Sequence, residues 1–197
     1  GKVSISQIIS EKNSIPLKIP TGKFPEMDFA ANTQKLLFVG EEDRTAYYQV
    51  VQAGFELELP DNNVKTEIEV SKTYQTLSGD NTQEATLGEE IEVHLKFRSI
   101  NNRRLHDVAI IDLLPAGLEV DAASLRNELS GTWTPDYVDV REDRVVFYGT
   151  VDTQIQEMVY KVRAINKGDF IVPPLYGESM YDRTIYGYSP NERFTVK

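Results

Sequence analysis

The chain has no cysteine, which removes disulfides, thiolate nucleophiles, Cys-ligated zinc and iron–sulfur clusters together. Long apolar runs are also missing. Nothing approaches the roughly 18–20 residues of a membrane-spanning helix, and the opening Gly1-Lys2-Val3-Ser4 carries no signal-peptide core, so no direct membrane insertion is expected. Basic residues are outnumbered, 21 against 31 acidic, for a net charge of -10; such a surface repels polyanions, and nucleic acid is not an expected partner. Also absent are GxGxxG, a Walker loop, HExxH and an EF-hand loop, each of which needs glycines or ligands at fixed spacing. The sequence therefore predicts no cofactor and no metal.

What is present is an ordinary core-forming composition, 40% hydrophobic over 197 residues, enough to bury an interior without staples. Apolar residues recur with period 2, the mark of strands with one face buried. In Ile91-Glu92-Val93-His94-Leu95-Lys96-Phe97-Arg98 the two faces separate cleanly. The same reading predicts strands over 66–74, 108–113, 144–151, 158–165 and 170–175, and before them over 3–9, 35–39 and 45–53. A turn is expected at Asn166-Lys167-Gly168-Asp169, with Gly168 at positive φ, and one short helix over 121–129 behind an Asp121 cap. Pro60-Asp61-Asn62-Asn63 punctuates two patterned stretches. The expectation is an all-β chain: residues 1–62 as a partial β-sheet domain, residues 63–197 as an antiparallel β-sandwich. A first residue of Gly instead of Met reads as a segment whose signal and partner domains lie upstream.

Catalytic candidates are thin. Gly177-Glu178-Ser179-Met180-Tyr181 begins like a nucleophile elbow, but Tyr181 stands where the sharp turn needs glycine. His94, on a polar strand face, and His106, after an Asn- and Arg-rich loop, are read as solvated side chains, not ligands or bases. No catalytic residue is assigned and no enzyme is expected. Residues 173–190 stand out instead, with four of the ten tyrosines, Tyr176, Tyr181, Tyr186 and Tyr188, beside Met180. Aromatic side chains give much contact area for little entropy loss, so a loop of this composition fits a docking surface; the alternative is a final β-hairpin that packs its tyrosines on the sandwich.

Several stretches taken in order resemble the last macroglobulin-like domain of bacterial α2-macroglobulins: Asp107-Val108-Ala109-Ile110-Ile111-Asp112-Leu113-Leu114-Pro115-Ala116-Gly117-Leu118-Glu119-Val120, Arg141-Glu142-Asp143-Arg144-Val145, Tyr160-Lys161-Val162-Arg163-Ala164, Phe170-Ile171-Val172-Pro173-Pro174 and Glu178-Ser179-Met180-Tyr181. Tyr47-Tyr48-Gln49-Val50-Val51-Gln52-Ala53-Gly54-Phe55 resembles the strand before that domain. The resemblance spans about residues 45–197 and leaves 1–44 as the end of a preceding CUB-like or macroglobulin-like domain. It implies a macroglobulin- or fibronectin-III-like sandwich within an exported protease trap of the periplasm, often lipid-anchored at the inner membrane. In that family a protease cuts a bait region, and in many members a Cys–Gln thioester captures the attacker. With no cysteine, this chain would supply a non-catalytic module whose Met180 and Tyr181, flanked by Glu178 and Tyr176, contact and shield the thioester-type domain. Its implied partners are upstream domains of the same polypeptide and, through the full-length protein, target proteases.

Two other classes compete. The stretch from Asp112 to Leu118 also resembles turns of Ig-like stalk or adhesion repeats of bacterial surface proteins, in which Pro115 and Gly117 merely lead the chain out of a strand. A carbohydrate-binding sandwich would use Trp133 and the tyrosines as stacking platforms.

Overall fold

A computed structural model describes residues 3–40, 45, 47–51, 60–127 and 130–197. The chain divides into two compact units, Gly1–Phe55 and Glu56–Lys197.

In the first unit, β1 (Ser4–Ser10) lies between β2 (Asn13–Leu17) and β3 (Lys35–Val39), both antiparallel to it. Its buried polar residue is Gln7, whose Oε1 accepts the Ala30 N–H at 2.8 Å and the Thr33 hydroxyl at 3.1 Å. The sheet's neighbouring turn is thereby fastened by one side chain. The strand expected over 45–53 is not formed: Thr45 and Tyr47–Val51 have no regular structure, while Ala46 and residues 52–53 lie outside the described residues. Apolar alternation there finds no neighbouring strand to pair with among the described residues, and an unpaired strand is not stable alone. Tyr48 instead stacks on Phe38, ring centroids 4.1 Å apart.

The second unit is a sandwich of antiparallel sheets, as the period-2 pattern predicts. One sheet runs β11-β12-β8-β15-β16-β4. Its strands are β4 (Val64–Lys65), β8 (Leu105–Leu113), β11 (Tyr137–Val140), β12 (Arg144–Val151), β15 (Tyr176–Ser179) and β16 (Tyr186–Tyr188). The facing sheet runs β10-β13-β7-β5, with β9 also on β13. It comprises β5 (Ile68–Thr76), β7 (Glu90–Ser99), β9 (Leu118–Val120), β10 (Ser130–Gly131) and β13 (Gln156–Ala164). A third, small sheet orders β14 (Gly168–Val172), β17 (Glu192–Val196) and β6 (Glu84–Ala85), the last two parallel.

The core is set by alternation. Ile91, Val93, Leu95 and Phe97 of β7 are buried and meet Val108 and Ile110 of β8 and Val145 and Phe147 of β12. Trp133 closes this interior edge-on to Phe97, at 4.8 Å between ring centroids, and its indole N–H donates to the Thr150 carbonyl at 2.8 Å. The expected helix appears as α1 (Ala122–Asn127), and residues 128 and 129 lie outside the described residues. Asp121 caps it, its Oδ1 accepting the Ala123 N–H at 2.9 Å, and Leu125 is buried; Leu129 lies outside the described residues. The strand expected over 170–175 ends at Val172, because Pro173 and Pro174 have no N–H to donate. Gly168 does take positive φ, +148°. Yet β13 and β14 are not paired there, since the chain crosses from the five-stranded sheet to the small one.

Candidate functional site

The Tyr-rich segment is mainly a sheet face, not a loop. Tyr176 lies on β15 and Tyr186 and Tyr188 on β16, and only Tyr181 sits in the turn between these strands. Their sequences, Tyr-Gly-Glu and Tyr-Gly-Tyr, alternate large outward with bare inward. Gly177 and Gly187 are cross-strand partners facing β5. A Cβ on Gly187 would stand 2.2 Å from the Ile68 carbonyl oxygen, so only glycine lets this hairpin lie directly on the backbone beneath it. On the outer side Tyr176, Tyr186 and Tyr188 form a mutual cluster, centroids 6.3–6.5 Å apart. Burial, and then the Glu178 carboxylate, push the Tyr176 hydroxyl up to about 12.

Register extends this face across the sheet. One row of partners reads Tyr137, Tyr148, Ala109, Glu178, Tyr186. The next reads Asp139, Val146, Ile111, Tyr176, Tyr188, Val64. Val146 and Ala109 are 7% and 5% exposed although they point away from the core. Tyr137 and Tyr148 were invisible to composition alone, because they lie some forty and thirty residues from the rest and only register unites them.

The turn beyond β15 carries Met180 and Tyr181, 49% and 82% exposed. Its backbone is held on every side. Ser179 N–H donates to Ile185 O at 3.0 Å and Ile185 N–H to Asp182 O at 3.1 Å. Thr184 donates its N–H and hydroxyl to Asp182 Oδ1 at 3.0 and 2.6 Å, which holds that carboxyl below its ordinary range. Tyr186 N–H reaches the Thr66 hydroxyl at 2.9 Å, and buried Ile185 is the turn's inward anchor. Met180 N–H donates to Asp107 O at 2.8 Å. Asp107 belongs to a β-bulge, since His106 and Asp107 together oppose Thr150, and it has a left-handed φ of 53°. That conformation costs a non-glycine residue of order 1 kcal/mol, held here where the bulge supports the exposed turn.

Other candidates resolve into structural roles. Trp133 is 7% exposed and cannot be a sugar platform, because its ring is interior packing. His94 is not freely solvated as expected: its Nδ1 lies 2.9 Å from Glu157 Oε1 and its Nε2 3.4 Å from Glu92, with the side chain 13% exposed. His106 is exposed, with Nδ1 3.2 Å from the Thr150 hydroxyl. The Ser179 hydroxyl accepts the Asp182 N–H at 3.3 Å and so serves the turn. Asp112, expected only to precede a turn, is fully buried. It accepts Lys72 Nζ at 2.6 Å and the Tyr160 hydroxyl at 2.5 Å. Burial, and then the Asp112 charge, raise the Tyr160 hydroxyl well above its usual range, so it stays a neutral donor. Among the described residues no three His, Asp or Glu side chains group as metal ligands, and no helix is long and apolar enough to cross a membrane.

Residues 68–183 match the family model of the bacterial alpha-2-macroglobulin MG10 domain. An alpha-2-macroglobulin homolog of Yersinia pestis is 34% identical over 212 residues, covering 95% of this chain and 11% of that protein. An alpha-2-macroglobulin of Rickettsia conorii is 35% identical over 147 residues, covering 71% of this chain and 8% of its own. The chain thus spans about a tenth of the curated relatives it matches. Among solved structures, native Escherichia coli alpha-2-macroglobulin from domain MG7 to the C-terminus superposes with a TM-score of 0.61 at 22% identity, over 68% of this chain and 24% of that one. The cryo-EM reconstruction of the native Escherichia coli protein gives 0.61 at 23%, over 73% and 10%. The sandwich topology is theirs, and with a family model over more than half its length and a relative aligned along nearly all of it, this chain belongs to the bacterial alpha-2-macroglobulins.

Proposed function

We propose that the chain is a non-catalytic C-terminal module of a bacterial alpha-2-macroglobulin protease inhibitor, which docks through the Met180–Tyr181 turn on the thioester-type domain of the same polypeptide. The supporting observation is a contradiction of ordinary surface design: a turn fixed by at least five backbone hydrogen bonds presents one thioether and one phenol ring to solvent. Rigid presentation lowers the ordering cost of an anchor residue. Where the facing domain carries an activated acyl group, Met180 and Tyr181 exclude water from it in the resting state, and closure after bait cleavage withdraws them. Glu178 and Tyr176, on the same outward side of β15, flank the contact. The module has no cysteine and makes no bond itself. The periplasm, with the parent lipid-anchored at the inner membrane, is the compartment this reading requires, and target proteases are met through the whole polypeptide.

The test is Met180→Ala with Tyr181→Ala in the full-length polypeptide. The expected result is conversion to the faster-migrating closed form on native gels without protease, while the isolated chain unfolds at an unchanged temperature. A resting state as durable as wild type would defeat the proposal. So would a steep loss of stability in the isolated chain, because the side chains would then be core.

A further inference from the structure

The β15–β16 hairpin is held against the sandwich by few apolar contacts. Burial of apolar side chains is what ordinarily seats a strand, and β15 and β16 turn only Gly177, Ser179 and Gly187 inward, between buried Leu175 at the root and buried Ile185 at the turn. The segment that leads into the hairpin, Pro173-Pro174, crosses from the small sheet to the six-stranded one with no N–H of its own to donate.

What fastens the root is polar. Lys72 reaches across from β5 with an ammonium that donates to Asp112 Oδ1 at 2.6 Å and to Pro173 O at 3.0 Å, with Leu113 O 3.4 Å away. One of the oxygens gathered by this single buried cation thus belongs to the crossover itself. An apolar residue could fill the same space, and exchanging a buried pair for hydrocarbon is often neutral for stability, but it would leave the Pro173 carbonyl without its donor. The hold on the crossover is therefore what the charged pair adds beyond stability. Two residues further on, the Leu175 N–H donates to Ser189 Oγ at 2.9 Å, and the N–H of buried Ser189 donates to Leu175 O at 3.0 Å.

We infer that Lys72 and Ser189 are positioning residues for the Met180–Tyr181 turn: they latch the root of the β15–β16 hairpin, and losing either hold lets the hairpin open as one unit while the rest of the sandwich stays folded. The turn's own bonds, Ser179 N–H to Ile185 O and Ile185 N–H to Asp182 O, lie within the hairpin and travel with it when it opens. Outside it, the ladder to β8 ends with the Met180 N–H on Asp107 O, and the ladder to β4 is two residues long. A segment with so little buried apolar side chain belongs at the low end of a domain's range of local stabilities. The latch follows from this chain's geometry, whereas its bearing on function rests on the docking reading above, since a turn that detaches presents no rigid anchor.

Amide hydrogen exchange of the 197-residue chain, read residue by residue, tests this in two variants: Lys72→Met with Asp112→Leu, and separately Ser189→Ala. At Ser179 and Met180, the end of the hairpin far from the root, exchange is expected to be on the order of tenfold faster than in the unsubstituted chain in each variant, with the amides of β7 and β13 unchanged. Acceleration confined to Leu175 and Ser189 overturns the inference, and so does equal acceleration in every strand, which would give these residues a part in global stability alone. A Lys72–Asp112 double variant that does not fold overturns the assignment of Lys72, and Ser189→Ala then decides the root by itself. Ser189→Ala in the full-length polypeptide, run on native gels, separates the latch from docking. Faster exchange with a resting state as durable as wild type keeps the latch and defeats the docking reading; unaltered exchange overturns the latch whatever the gel shows.

Discussion

Removing the carboxylate of Asp112 should be among the most damaging single changes in this chain. Lys72 points inward from β5 on the same side as Ile68, Val70 and Tyr74, and Asp112 points inward from β8 on the same side as Val108 and Ile110. The two charges meet across the sandwich with side chains 4% and 0% exposed. Lys72 Nζ also donates to Pro173 O at 3.0 Å and lies 3.4 Å from Leu113 O, and Tyr160 donates to the second carboxylate oxygen. Asp112→Ala leaves the ammonium buried beside two carbonyl oxygens and the Tyr74 ring, 5.9 Å away, with no countercharge, which costs about 3–5 kcal/mol for a broken buried pair. The orphaned Tyr160 hydroxyl pushes the cost toward the upper end. Replacing both partners by apolar residues, Lys72→Met with Asp112→Leu, should restore most of the loss, since a buried pair exchanged for packed hydrocarbon is often neutral. Urea unfolding followed by tryptophan fluorescence is the assay, because Trp133 is the single tryptophan and reports this unit alone. A loss below about 1 kcal/mol for Asp112→Ala, the range of an exposed pair, would refute the reasoning. So would a double variant as unstable as the two singles summed.

Other perturbations discriminate between interior and surface. Gly187→Ala should lose about 1–3 kcal/mol by overpacking, because its new methyl meets the Ile68 carbonyl, which is backbone and cannot rotate away; an unchanged melting temperature would show that the hairpin lifts freely. Met180→Ala with Tyr181→Ala should alter the stability of the isolated chain by no more than about 0.5 kcal/mol, measured in the same urea titration. Stability should fall between pH 10 and 12: unfolded tyrosines release protons near 10 while Tyr176 keeps its proton to about 12, and burial holds Tyr74 and Tyr160 well above the ordinary range too. The unfolded state then binds fewer protons than the folded one, so the slope of stability with pH is negative there. Tyr176→Phe should shallow that slope and delete a phenolate absorbance step near the top of the range; a titration in which every tyrosine ionises near 10 would contradict the buried environments.

How much of this was legible beforehand depends on which residues are asked about. The β7 alternation and the strand over 144–151 are fully determined by period 2, and both sheets of the sandwich follow from such segments. Lys72 and Asp112 were legible in principle, since each occupies an apolar parity position in its strand, but pairing them requires knowing that β5 and β8 face one another. Tyr176, Tyr186 and Tyr188 declared themselves as a cluster, yet composition suggested a loop where alternation with Gly177 and Gly187 makes a strand face. Tyr137, Tyr148 and the bulge at Asp107 could not be read, because cross-strand register and a left-handed backbone are products of the folded sheet. The apolar run over 45–53 misled for the opposite reason: periodicity describes a readiness to pair, and no partner strand is present among the described residues.

The bare underside of the β15–β16 hairpin separates two jobs that most sheet segments must share. Where inward side chains interlock with a core, changing what a strand displays risks its seating. Here two glycines and one isoleucine do the seating, so evolution can repaint the outward surface with little disturbance below. Related molecules could thus diverge in what this ribbon recognises while keeping the same scaffold, with variability gathered at 176, 178, 186 and 188 and constancy at 177, 185 and 187.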